Sequence, residues 1–137
     1  MTTPRDDRGS VAVETAVVAP ALVALLLLVV FAGRVAQSEG DVRRAASEAA
    51  RAASLTQSPE AAVEAAEQAV AANLRSSGIG CSTLATDVDT DDFRPGGTVT
   101  VNVRCIASMA DVSLLGVPGE RTFAARSVEV IDRYRSS

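Results

Sequence analysis

The hydrophobic pattern of the chain is dominated by an uncharged run near its N-terminus. Residues 15–33 contain no charged side chain, and Glu14 and Arg34 flank them. As a helix this run spans roughly 28 Å, close to the ~30 Å hydrocarbon thickness of a bilayer. A buried core helix is the alternative, but it needs apolar partners on every side, which the rest of the chain is too poor in large apolar residues to supply. The pattern therefore predicts a membrane-inserted helix.

A helical pattern continues over residues 34–55, with an apolar face and a charged face. The apolar set is Val35, Val42, Ala46, Ala49 and Ala53, and the charged set is Arg43, Arg44, Glu48 and Arg51. Gly40 lies inside this stretch, and glycine weakens a helix interior. The pattern is compatible both with one long helix and with two shorter helices.

A further Ala-rich helix is predicted over residues 59–77. Ser58 precedes Pro59, and serine at the N-cap with proline at the first helical position is a typical helix start. Gly78 is a typical C-cap residue. The predicted apolar stripe comprises Val63, Ala66, Val70 and Leu74. Such a narrow stripe favours packing on a sheet or on the preceding helix.

In the C-terminal half, apolar and polar positions alternate with a period of two. The predicted strands cover residues 82–88, 98–107 and 121–131, with turn sequences at residues 94–97 and 116–119. The chain thus has an α+β pattern: an N-terminal transmembrane helix, a second Ala-rich helix and a small antiparallel sheet of three to four strands.

Composition narrows the possible functions. The 137 residues include no His, and 13 basic residues against 17 acids give a net charge of −4. Such a chain, with one Tyr, three Phe and no Trp, offers neither a basic surface for phosphates nor a stacking platform for bases. Without His, no Ser-His-Asp or Cys-His set can form. We therefore expect no nucleic-acid binding, no enzymatic activity and no cofactor.

An acidic cluster just before the first of these turn sequences superficially matches the first half of a calcium loop. It comprises Asp87, Asp89, Asp91 and Asp92. The sixth position of such a loop would be Asp92 instead of Gly, and the twelfth would be Thr98 instead of Glu. We interpret the cluster as a solvated strand end and turn, and predict no metal site.

The chain has two cysteines, Cys81 and Cys105. In the chain-entropy model a disulfide between them stabilises by about 3–4 kcal/mol, which is a large share of the stability of a thin-cored domain. Such a bond persists outside the reducing cytosol. Two buried free thiols are the alternative, whereas a metal site lacks further His or Cys ligands. We predict the disulfide, and with it an exported domain.

Three kinds of N-terminal segment contain an apolar run: a cleaved secretory signal, a plain anchor and a prepilin-type leader. A secretory signal begins with basic residues and has a shorter apolar stretch before a small-residue cleavage site. Here Arg5 and Arg8 are offset by Asp6 and Asp7, and the residues after the run match such a site poorly. The secretory signal is the weaker interpretation.

The residues before the run carry a more specific pattern. Residues 9–15 read G-S-V-A-V-E-T, followed by A-V-V-A-P-A-L-V-A-L-L-L-L-V-V. This junction resembles the TadE-like family of minor pseudopilins in tight-adherence (Flp) pilus systems, although many relatives carry an aromatic residue where Thr15 stands. The resemblance implies cleavage after Gly9 by a prepilin peptidase, which would leave Ser10 as the new N-terminus and Glu14 as the fifth mature residue.

The C-terminal part of the chain extends this resemblance. Residues 105–135 look like the C-terminal end of actinobacterial TadE-like proteins, with the sequence C-I-A-S-M-A-D-V-S-L-L-G-V-P-G-E-R-T-F-A-A-R-S-V-E-V-I-D-R-Y-R. That pattern is looser than the one at the N-terminus.

Glu14 has a physical interpretation of its own. Cleavage creates an α-amine beside an apolar helix, and a cation there needs a counter-charge in low dielectric. Glu14 of a neighbouring copy or of a pilin helix is a suitable partner. The alternative is that Glu14 lies in the headgroup layer as a first-turn acid, facing the positive end of the helix dipole.

Together these patterns predict a leader arm at residues 1–9, a transmembrane helix at 10–33 and an extracytoplasmic head at 34–137. The predicted protein is a single-pass minor pseudopilin of the cell membrane that contributes to assembly of a tight-adherence pilus. By resemblance its partners are pilin and minor pilin subunits, a prepilin peptidase and the Tad secretion platform. The alternative is an uncleaved single-pass anchor whose head binds material outside the membrane.

Overall fold

The computed structural model describes residues 8–113, 116 and 118–134, so most of the predicted leader arm lies outside the described residues. Within them, the order of elements is α1 (Arg8–Ser54), α2 (Pro59–Ser77), β1 (Cys81–Asp89), β2 (Thr98–Ser108), α3 (Met109–Ser113) and β3 (Glu120–Val130). The predicted α+β class is confirmed, with three antiparallel strands. The short helix α3 was not predicted.

The chain divides after Gly33 into two compact units. Helix α1 contributes to both of them and contains Pro20. It is continuous through Gly40, which decides between the one-helix and two-helix alternatives. Burial of Val42 and Ala45 beyond the glycine explains this continuity, since packing of an apolar face outweighs a propensity cost of about 1 kcal/mol.

Local capping interactions set the limits of α2. The Ser58 hydroxyl accepts a hydrogen bond from the N–H of Ala61 at 3.2 Å, and Pro59 is the first helical residue. At the other end Gly78 adopts a left-handed conformation with φ of 76°, and its N–H donates to the carbonyl of Arg75. Both caps satisfy backbone groups that a helix end leaves unpaired.

The buried row of α2 differs from the predicted stripe at one position. Ala62 is buried and Val63 is half-buried, so the row follows a spacing of four residues throughout: Ala62, Ala66, Val70 and Leu74. The smaller side chain occupies the fully buried position. The prediction placed Val63 in the buried row because its side chain is larger and more apolar than that of Ala62. Which of the two neighbouring rows is buried depends on how the helix packs, and side-chain size alone does not determine this.

The sheet has the order β1-β2-β3, with β2 in the centre. Val101 of β2 lies opposite Val88 of β1 and Ser127 of β3. Alternate residues of β2 are buried, namely Val99, Val101, Val103, Cys105 and Ala107. They form the core of the second unit together with Phe123, Ile131 and the buried rows of α1 and α2, which are mostly alanine. Small side chains therefore fill much of this core.

The turn between β1 and β2 is tied to the end of β3. The N–H of Gly96 donates to the carbonyl of Ile131, and the N–H of Ile131 donates to the carbonyl of Gly97, both at 2.9 Å. Ile131 is fully buried. These bonds hold the turn against the end of β3, at one end of the sheet and beside the core.

Candidate functional site

The first unit presents an apolar surface. Its large side chains are exposed, including Val17 at 69% and Leu26 at 63% of their full accessible area. In the most apolar 18-residue window of the helix no residue is buried, whereas the core helix of a soluble domain would be mostly buried. By length and composition α1 can cross a membrane. The helix therefore suggests a membrane anchor.

Glu14 lies at the N-terminal part of this apolar surface. Its carboxylate is exposed and has no ion-pair or hydrogen-bond partner among the described residues. It borders a shallow groove whose other lining residues are Thr15, Val18, Ala19 and Leu22. The spacing of these residues places them along one side of the helix. A carboxylate beside an apolar groove can pair with a cation that approaches along the same surface.

The predicted cleavage site lies just before Glu14. The backbone of Gly9 and Ser10 belongs to the first turns of α1. The side-chain surroundings of residues 8–12 lie outside the described part of the structure. The structure thus places the candidate site on the same helix as Glu14, and cleavage there stays a prediction.

The two cysteines of the second unit form a disulfide. Cys81 and Cys105 are joined with their Cα atoms 5.4 Å apart. Cys105 is fully buried in β2, and Cys81 begins β1. The strand register shifts between Cys81 and Thr83, so the disulfide lies beside a β-bulge that sequence reasoning missed.

The aspartates of the predicted acidic cluster act separately. Asp87 accepts a hydrogen bond from the Asn102 amide at 3.2 Å, and Asp89 accepts one from the backbone N–H of Asp91 at 3.0 Å. Asp92 pairs with Arg94. In the described part of the chain, no three His, Cys, Asp or Glu side chains come together to hold a metal ion.

One ion pair of the second unit was not predicted from the sequence. Arg121 of β3 donates to the Glu39 carboxylate of α1 at 3.2 Å, and its guanidinium lies 5.6 Å from the ring centroid of Phe123. The partners are 82 residues apart in sequence. No local signal links two positions at such a separation.

Comparison with known families agrees with the geometry of the first unit. A family model described as TadE-like protein matches residues 9–51. Over these residues the chain is similar to the TadE-like family. The matched segment contains Gly9, Ser10, Glu14 and the entire apolar run, so the predicted resemblance is confirmed over these residues. Its narrower actinobacterial attribution stays a prediction. No curated protein and no solved structure matches the chain.

The TadE-like segment suggests involvement in Tad pilus systems. It covers the exposed apolar part of α1 and continues to Arg51, within the buried part of the same helix. The strands and the disulfide lie outside the matched residues.

Proposed function

We propose that the chain is a membrane-anchored minor pseudopilin that contributes to assembly of a tight-adherence pilus. The observation that carries this proposal is that the TadE-like match coincides with an exposed apolar helix that has the exposed Glu14 carboxylate near its N-terminal end. The disulfide supports an extracytoplasmic head, because such bonds persist in oxidising compartments.

In the proposed mechanism a prepilin peptidase removes the leader by cutting after Gly9. Ser10 then carries a free α-amine, and the Glu14 carboxylate of an adjacent subunit pairs with it. Inside the bilayer the low dielectric makes an unpaired charge costly. Pairing the two groups therefore favours one axial position of neighbouring helices over others.

The chain acts by interaction in this proposal and not by catalysis. It has no His, and we propose no cofactor. Its proposed partners are the membrane, pilin and minor pilin subunits, the prepilin peptidase and the Tad secretion platform. Its head, from Arg34 onward, is proposed to lie outside the cytoplasmic membrane.

The first prediction concerns processing. In envelopes of cells with a cognate prepilin peptidase, the chain is expected to begin at Ser10, and at Met1 when the peptidase is deleted. Gly9→Val should abolish the cut, because the resemblance implies cleavage directly after a glycine. Gly33→Ala is the control, since a Cβ there meets no atom within 4 Å. N-terminal sequencing or intact-mass analysis measures the outcome.

Two results would contradict this proposal in different ways. A chain that begins at Met1 or Thr2 in both strains would favour an uncleaved anchor with a binding head. A chain that begins beyond Gly33 would indicate an ordinary secretory signal, and Glu14 would then be absent from the mature protein.

The second prediction concerns Glu14. Glu14→Ala and Glu14→Gln are expected to leave membrane insertion intact but to lower incorporation into sheared pili by about tenfold or more, as expected for loss of about 1.4 kcal/mol of charge pairing. Val17→Ala is the control, because it shortens an exposed side chain of the same helix without changing charge. Immunoblots of membrane and pilus fractions measure the distribution. Equal incorporation of Glu14→Gln and the unmodified chain would exclude the charge-pairing role.

A further inference from the structure

The two edges of the sheet differ. At β1 the register shifts between Cys81 and Thr83, and α2 packs nearby. β3 keeps one register with β2 from Glu120 to Val130 and contains neither proline nor glycine. Proteins commonly protect edge strands with bulges, prolines or covering elements. Over the described residues β3 shows none of these devices.

β3 also presents a long, exposed edge. It has 11 residues, and no described strand pairs with it on the side away from β2. Val128 is 50% exposed and Val130 is 63% exposed. An edge of this kind offers a row of backbone N–H and C=O groups to an added strand.

The charges of β3 select its partner. Arg121 and Glu129 belong to the face of β3 that also carries Phe123, and charges on an inward face normally oppose strand addition. Antiparallel pairing of two β3 strands about Ala125 places Arg121 of each copy opposite Glu129 of the other. Opposite charges directly across a ladder are stabilising, whereas an added strand without this pattern would place no opposite charge across from Arg121 and Glu129.

The same register uses the whole strand. Pairing about Ala125, the middle residue of β3, gives each of the 11 residues a partner on the same face of the sheet. On the other face, Thr122 of each copy lies opposite Val128 of the second copy. Arg121 already pairs with Glu39, but a guanidinium has five N–H donors and can serve both carboxylates.

We propose that β3 is a homodimerisation edge, at which two copies of this chain form one continuous six-stranded sheet with two-fold symmetry. The strand that pairs with β3 is the β3 strand of a second copy. Both copies contribute the same surface, so the contact is isologous and the assembly closes as a dimer. The proposal does not rest on pilus assembly. It concerns β3 of the second unit, and β3 lies outside the TadE-like match.

Cysteine pairs test the register on the full-length chain in detergent micelles. Copies with Thr122→Cys and copies with Val128→Cys, carrying different tags, are co-expressed, extracted and treated with a mild oxidant. Directly opposite residues lie 4.5–5.5 Å apart between Cα atoms, within disulfide reach. We expect a mixed dimer at a yield about tenfold or more above that of either variant alone, because two Thr122 residues of one dimer lie roughly 20 Å apart.

Thr122→Cys with Ala124→Cys is the mismatched control. In the proposed register Thr122 of one copy lies opposite Val128 of the other, and Ala124 is four positions away from Val128 along that strand. No mixed cross-link between positions 122 and 124 should form. Both positions are exposed, so the substitutions leave the core intact. Equal cross-linking of the matched and mismatched pairs, or its absence from both, would overturn the proposal, as would capture of a different protein at position 128.

Charge reversal gives a second readout. Glu129→Arg should lower the fraction of cross-linked dimer about tenfold, because it places like charges opposite each other at both ends of the ladder. Adding Arg121→Glu to Glu129→Arg should restore dimerisation. If the double variant dimerises no better than Glu129→Arg, while both retain the unfolding midpoint of the unmodified chain, the self-pairing of β3 is excluded.

Discussion

Gly97→Ala is expected to lower the free energy of unfolding of the second unit by about 3 kcal/mol. Gly97 is buried directly before β2, and a Cβ built there would overlap the backbone carbonyl oxygen of Asp92. That carbonyl cannot easily withdraw, because it accepts a hydrogen bond from the N–H of Arg94 at 2.9 Å. Gly97 itself is held by its carbonyl, which accepts from the N–H of Ile131.

Calorimetry of the full chain in detergent micelles measures this effect as a fall in unfolding midpoint of about 15 °C. Gly80→Ala is the matched control, since Gly80 is exposed and a Cβ there meets no atom within 4 Å. We expect the control to change the free energy of unfolding by no more than about 0.5 kcal/mol. A midpoint for Gly97→Ala within about 2 °C of the control would contradict the close approach described for the turn.

The need for glycine at position 97 illustrates what sequence could not show. The run Arg94-Pro95-Gly96-Gly97 predicted a turn, because glycine and proline there are strong local signals. It did not show which glycine is required, since that depends on the distance to the Asp92 carbonyl. The bounds of α2 could be predicted because its capping interactions are local. The Ser58 cap and the Gly78 cap each contact a residue three positions away in the sequence.

Features that depend on distant residues escaped prediction. The bulge beside Cys81 exists only in relation to the register of β2, and the Glu39–Arg121 ion pair joins positions 82 residues apart. Continuity of α1 through Gly40 depends on burial of the helix face that follows. The residues proposed to act in cleavage and assembly could be predicted from the sequence. Gly9, Ser10 and Glu14 belong to one contiguous motif, which the family match also covers. Their partners lie outside the chain, and sequence indicates them by resemblance alone.

Loss of the disulfide is expected to have an effect similar in size to that of Gly97→Ala. Cys81 and Cys105 are 24 residues apart, and the loop that they close contains β1, the glycine turn and most of β2. In the chain-entropy model, opening a loop of that length lowers the free energy of unfolding by about 3.5 kcal/mol. The core offers limited compensation, because alanine side chains fill much of it.

The double variant Cys81→Ala, Cys105→Ala tests this expectation, and it avoids leaving a buried hydroxyl or a single free thiol. We expect its unfolding midpoint to lie about 15 °C below that of the oxidised chain. A thiol reductant should lower the midpoint of the unmodified chain by a similar amount and leave that of the double variant unchanged. This difference separates the effect of the bond from the effect of shortening Cys105.

Thiol titration after unfolding shows whether the reductant has opened the bond. If two thiols are released while the midpoint of the unmodified chain stays constant, the disulfide does not stabilise the native state. The packing between β1 and β2 would then suffice without the covalent link. If the midpoint falls as expected, the full stability of the second unit requires the oxidised disulfide, and a head exposed outside the cytoplasmic membrane lies in a compartment where such bonds persist.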